Sequence, residues 1–279
     1  MPRAWAGFLA VFVLKLLSRL PPSSIIAIGS PFLPIYSLFR RHLRERLQSL
    51  QNLVPFPVPT PLAYYRMRLR IAALSLRHLT SHEADAFIRV EGEEHHQAAL
   101  ASGKPVALLG WHQGPVELLH RIPSVPEADR PFFIFTAGGF APMLTQLMRS
   151  GREQSGKQTV ALDVQHGALR SWARQHGVLT VMVDQVPGRP KDWISLWNGK
   201  VEIPYPRNLM DWLGERNAVC LAVSVRLENE GSIVFRYQPV EPNEKSLGRM
   251  MEKAIADAPD QYNWSYPKIR ILEEPQRRR

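Results

Sequence analysis

From Ala86 onward the sequence alternates short apolar runs, each bounded by turn residues, with stretches that carry helical spacing. That alternation is the strongest constraint on the fold, because apolar runs of four to eight residues separated by helices read as strands of a sheet covered on both faces. The predicted strands are Ala86–Val90, Val106–Gly110, Pro131–Thr136, Thr159–Leu162, Val178–Val183, Ala218–Leu227 and Ile233–Val240. Helices are predicted at Leu62–Leu79, Glu93–Ala101, Pro115–Arg121, Ala141–Arg149, Val164–His176 and Asn208–Glu215. The chain therefore reads as an α/β protein with a mainly parallel central sheet flanked by helices. The last two strands form an antiparallel pair.

The run Lys104-Pro105-Val106-Ala107-Leu108-Leu109 leads straight into Gly110-Trp111-His112-Gln113-Gly114-Pro115-Val116-Glu117. This puts His112 at the carboxyl end of a buried strand, where open α/β sheets bind their ligands. Gly114 and Pro115 suit the first turn of a helix, so Glu117 can fold its carboxylate back to the imidazole. A carboxylate on one ring nitrogen fixes the tautomer that leaves the other able to accept a proton. The other reading of His112 is a buried histidine bonded to backbone. Spacing alone is weak: with 9 histidines and 25 acidic residues, about one such pair is expected from composition. A second pair, His78 and Glu83, lacks the strand and the glycine turn and reads as surface. The stretch Val181-Met182-Val183-Asp184-Gln185-Val186-Pro187-Gly188-Arg189 repeats the pattern of an apolar strand ending in polar residues. Asp184 and Gln185 are thereby expected on the same rim as His112, with Arg152 and Arg189 as cations for an anionic substrate.

At 279 residues and 45% hydrophobic, the chain suits one large α/β domain with an accessory segment. Its net charge of +10 calls for anionic partners: phosphate-bearing lipid, an acidic protein or nucleic acid. Nucleic acid has no interleaved aromatics or recognised motif behind it. Residues 1–50 hold two apolar stretches, Ala4–Leu14 and Ile25–Phe39, followed at once by the basic run Arg40-Arg41-His42-Leu43-Arg44-Glu45-Arg46. Such an arrangement suits a helical hairpin or interfacial helix on an anionic cytoplasmic leaflet; a core helix pair with a solvated basic end is the alternative. Residues 51–61 include a proline-rich stretch that reads as an extended spacer, and residues 62–279 as the catalytic domain.

Several chemistries find little support. Gly151 to Thr159 nearly spells a phosphate-binding loop, but Gln158 stands where a hydroxyl is needed and the preceding residues read as helix. There is no Gly-x-Ser-x-Gly elbow for a covalent acyl-enzyme. The lone Cys220, in an apolar run, excludes an intramolecular disulfide and reads as a buried strand residue. Glu93-Glu94-His95-His96 lacks metal-ligand spacing and reads as a solvated helix face, so no metal is assigned.

Taken in order, the motifs resemble the lipid A biosynthesis acyltransferase family, a branch of the wider lysophospholipid acyltransferases. They are the apolar amino terminus with its basic end, His112 with Glu117, Arg152 to Gly156, Asp184-Gln185-Val186-Pro187-Gly188, Trp197-Asn198-Gly199, and Pro259-Asp260-Gln261-Tyr262-Asn263-Trp264. The resemblance implies transfer of a fatty acyl group from an acyl carrier protein thioester (or acyl-CoA) to a hydroxyl of a lipid A-like glycolipid, on the cytoplasmic side of the inner membrane. It gives His112 the role of general base, Glu117 that of orienting it, and Arg152 and Asp184 that of organising the site. No cofactor is implied. The family's Tyr-Arg pair after the third strand is replaced here by Phe135-Thr136-Ala137-Gly138. That opens the alternatives of a lysophospholipid or ornithine-type acceptor, or of a peripheral lipid-binding protein that has lost catalysis.

Overall fold

The computed structural model describes residues 16–17, 19–80, 88–121, 132–136, 158–161, 165–186, 189–228 and 231–272. Ahead of the sheet lie α1 (Pro22–Gly29), a 3-10 turn (Ser30–Phe32), α2 (Leu33–Phe39), α3 (Arg41–Leu50) and the long α4 (Pro61–Thr80). There follow β1 (Ile88–Glu91), α5 (Glu93–Ala101), β2 (Val106–Gly110), a 3-10 helix (Val116–Arg121), β3 (Phe132–Thr136), β4 (Gln158–Ala161), α6 (Gln165–Arg174) and β5 (Val178–Met182). The chain continues with β6 (Asp192–Leu196), β7 (Val201–Tyr205), α7 (Arg207–Glu215), β8 (Val219–Leu227), β9 (Ile233–Pro239), α8 (Glu244–Asp257) and β10 (Arg270–Ile271). The expected helix at Ala141–Arg149, the apolar run Ala4–Leu14, Arg152, Glu83 and the Pro187-Gly188 turn lie outside the described residues.

Seven strands form one sheet in the order β1-β9-β8-β2-β5-β3-β4. The run from β8 to β4 is parallel throughout, and β8 meets β9 antiparallel. The mainly parallel sheet with a closing antiparallel pair is thus as the sequence pattern predicts. Strand β2 lies at its centre, and Val106 to Leu109 are each 0% exposed. Because alternate side chains point to opposite faces, Ala107 and Leu109 enter one core layer and Val106 and Leu108 the other. The first layer is closed by α3, α6, α7 and α8, and the second by α4, α5 and the 3-10 helix.

Two elements are additions to the predicted order. Strands β6 and β7 form an antiparallel hairpin, joined on its far edge by β10. Its turn, Trp197-Asn198-Gly199, takes three positive φ angles of 49°, 58° and 80°, the conformation that an Asn-Gly pair tolerates best. Helix α8 starts at Asn243, whose side chain accepts from the Ser246 amide, and buries Leu247, Met251 and Ile255 at helical spacing.

Three expectations need correction. Residues 115–121 form a 3-10 helix from Val116, a tighter turn than the predicted α-helix. His96 is 0% exposed and stacks on Tyr237 at 4.8 Å between ring centroids, so it faces the core while His95 stays outside. The proline-rich stretch is more than a spacer, since Phe56 is buried against Trp197. Helix α3, which begins in the basic run and extends past it, buries Leu43, Leu47 and Leu50 in the main core, as the alternative of a core helix with a solvated basic end expects.

Candidate active site

Strands β2 and β5 are neighbours in parallel register, with Gly110 opposite Met182. The amide of Val183 donates to the carbonyl of Gly110 at 2.8 Å, carrying the pairing past the strand ends. Two residues further along each strand come His112 and Asp184, so the register itself places them face to face. Asp184 is 2% exposed. Its Oδ2 accepts the backbone amide of His112 at 2.9 Å, and its Oδ1 meets the ring Nδ1 at 2.8 Å. Burial, and after it the charge of this carboxylate, pushes up the pKa of the neighbouring Tyr262 hydroxyl, itself buried.

The carboxylate that orients the imidazole is therefore Asp184, where sequence proximity points to Glu117. Glu117 contributes as nearby negative charge. A residue at the start of the 3-10 helix is close in sequence, but the neighbouring parallel strand delivers its carboxylate straight onto Nδ1. With Nδ1 donating to Asp184, Nε2 is the ring nitrogen left with a lone pair, on a side chain 23% exposed. Burial by itself would disfavour the charged ring. The charge and hydrogen bond of Asp184, helped by Glu117, outweigh it and hold the His112 pKa above the ordinary histidine value, with Arg68 opposing them.

A third chain segment locks this rim. Gln113 pairs with Tyr262 as an antiparallel bridge, the Asn263 amide donates to the His112 carbonyl at 2.8 Å, and the Gly114 amide donates to the Gln261 carbonyl at 3.1 Å. Gln261 in turn brackets Leu227 on β8, accepting from its amide at 2.8 Å and donating to its carbonyl at 2.7 Å. On the inner side Trp111 donates to Gln113 Oε1 at 2.8 Å, while Gln113 Nε2 donates to the Ala254 carbonyl at 2.6 Å. Gly114 makes the turn with φ of 63°, and a Cβ there would lie 2.3 Å from the Val225 carbonyl oxygen. Only glycine lets the chain pass so close to β8.

Of the other expected site residues, Gln185 is half-buried next to Asp184, and Arg189 is exposed before β6. Neither is among the groups bonded to His112 or Asp184. Tyr262 is a site residue that the sequence pattern shows only as part of a closing motif. Arg68, on α4, carries no motif at all. Its charge reaches His112 because α4 lies across the face of the sheet that the 3-10 helix helps to close.

The site can do one thing well: accept a proton at Nε2 and hold the resulting imidazolium against a buried carboxylate. Cys220 offers no competing thiolate, since its thiol is buried in β8 and pushed up to about 12 by that burial. The helical stretch Pro22–Phe39 has a mean hydropathy of 1.3 with 6% of it buried, and it is long and apolar enough to cross a membrane. Phe32, Leu38 and Phe39 are 65, 65 and 82% exposed. The chain matches no protein-family model and none of the curated proteins.

Proposed function

We propose that this protein is an O-acyltransferase that moves a fatty acyl chain from an acyl carrier protein thioester to a hydroxyl of a membrane lipid, with His112 as general base and Asp184 as its orienting acid. The observation that carries this reading is the His112–Asp184 pair at the end of a central parallel strand, with Nε2 left to act. Nε2 takes the proton of the acceptor hydroxyl as its oxygen attacks the thioester carbonyl. When the carbon–sulfur bond breaks, the imidazolium returns that proton to the departing thiolate. No covalent acyl-enzyme is needed, which agrees with the absence of a serine elbow in the sequence and with the buried, protonated Cys220.

Two further features support the substrate class. The large apolar residues Ile28, Phe32, Ile35, Leu38 and Phe39 along α1 and α2 are more than half exposed, which suits a membrane surface. The net charge of +10 suits both an acidic carrier protein and the anionic inner leaflet. On this reading the protein works at the cytoplasmic face of the inner membrane. Its acceptor is a lipid A-like glycolipid, and Arg152 helps to organise the site. The test is transfer by purified protein from a carrier thioester to a lipid extract. His112→Ala is expected to slow it by roughly 10²–10⁴-fold with an unchanged circular dichroism spectrum. Equal transfer by the variant and the wild type would refute the catalytic reading.

A further inference from the structure

His112 and Asp184 sit on two loops, one leaving β2 and the other leaving β5, and the carboxyl-terminal segment 261–268 bonds to both. On the His112 side, Gln113 pairs with Tyr262, and the His112 carbonyl accepts the Asn263 amide at 2.8 Å. On the Asp184 side, the carbonyl of Val186 accepts Lys268 Nζ at 2.6 Å and the Tyr266 hydroxyl at 3.4 Å. The middle of the segment is held from elsewhere in the chain. Arg46 on α3 donates Nη1 to the carbonyls of Trp264 at 2.7 Å and Tyr266 at 2.6 Å, contacts across 218 and 220 positions. Arg46 is half-buried, so these charge-assisted bonds are shielded from water and hold the two carbonyls firmly. Arg41, on the same helix, instead pairs with Glu45 at the exposed surface.

The two loops need such support. Strand pairing between β2 and β5 ends with Gly110 opposite Met182 and the Val183 amide on the Gly110 carbonyl. Past that point the loops are joined by the two bonds of the His112–Asp184 pair. Their relative position therefore depends on a common support, and segment 261–268 is bonded to each. We infer that Arg46 and Lys268 are positioning residues: through segment 261–268 they hold the His112 and Asp184 loops in register, which makes α3 of the amino-terminal region a working part of the site. The effect on rate rests on the reading of His112 as the base, whereas the effect on the ring itself does not.

The test follows the His112 imidazole by NMR titration of the full chain in detergent, its signal identified by its loss in His112→Ala, alongside kcat and KM for acyl transfer. The groups acting on the ring are Asp184 past β5, Glu117 on the 3-10 helix and Arg68 on α4, with Tyr262 and Tyr266 near Asp184. Arg46→Ala and Lys268→Met let Asp184 drift from Nδ1, so the His112 titration should move down from its raised position. Loss of a positive charge alone acts in the opposite direction, raising a histidine pKa. The same variants should lower kcat by about 10-fold or more with KM within about 2-fold of wild type. Arg46→Lys keeps the charge without the planar fork and should fall between Arg46→Ala and wild type. Two controls should leave the His112 titration in place: Arg41→Ala, at the exposed pair, and Leu213→Ala, which weakens the core at α7 and removes no bond of the segment. A titration that stays or rises in either Arg46→Ala or Lys268→Met overturns the proposal. An equal downward shift in Leu213→Ala also overturns it, since that would mark a general loosening of the fold. If the titration falls in both variants while even the wild type transfers no acyl groups, the positioning role stands and the catalytic reading fails.

Discussion

The rim around His112 and the helical stretch α1–α2 satisfy their side chains in opposite ways. At the rim, the polar groups of His112, Asp184, Gln113 and Gln261 find partners within the protein, and the strand beneath them is fully buried. Along α1 and α2 the large apolar residues Ile28, Phe32, Ile35, Leu38 and Phe39 are all more than half exposed. The rim is therefore complete as folded, whereas the helical stretch is complete only with something apolar against it. A catalytic group gains from a fixed environment, and a lipid-facing surface gains from being left uncovered.

The sharpest way to break that comparison is to alter the rim's backbone. Gly114→Ala forces a Cβ onto the Val225 carbonyl at positive φ and should destabilise the protein by about 3–5 kcal/mol in urea unfolding. Leu47→Ala, in the core beneath α3, should cost about 2–5 kcal/mol by the same measurement. Tyr262→Phe removes the hydroxyl beside the Asp184 carboxylate and should raise the barrier to acyl transfer by about 1–3 kcal/mol, read from kcat/KM. Phe39→Ala is the counterpart of Leu47→Ala on the exposed helix. It should change stability by no more than about 0.5 kcal/mol, yet weaken binding to anionic vesicles by roughly 10-fold or more. If Phe39→Ala were as destabilising as Leu47→Ala, the contrast between the two regions would collapse.

The sheet was largely legible because its signals are local. The runs at Val106–Gly110 and Glu93–Ala101 have the predicted bounds, and the other predicted elements among the described residues shift by a residue or two. The β6–β7 hairpin and α8 also carry local signals, the Asn198-Gly199 turn and the Asn243 cap, that become decisive only once their partners are seen. The site was legible in its members and not in its wiring. His112 and Asp184 could each be placed at a strand end, but which carboxylate meets the ring depends on which strands are neighbours and in what register. That is a contact between residues 72 positions apart, and one sequence favours the carboxylate closest along the chain. Arg68 was missed because an arginine on a long helix carries no motif, and only the fold shows that its charge acts on His112.

The raised pKa of His112 makes opposite predictions for stability and for activity. The folded-state value lies above the ordinary one, so the stabilisation from this pair is fully present below the unfolded histidine pKa and is lost as pH rises through the folded one. The neutral base forms over the same upper window, so acyl transfer should rise as that stabilisation fades. Asp184→Asn removes the charge and one of the two acceptor oxygens that face His112, so burial weighs more heavily and the pKa falls. The decisive measurement is the pH dependence of acyl transfer in wild type and Asp184→Asn. The account predicts a rising limb centred above the ordinary histidine value in wild type, and a weaker activity whose limb moves to lower pH in the variant. Coincident limbs of equal height would contradict it.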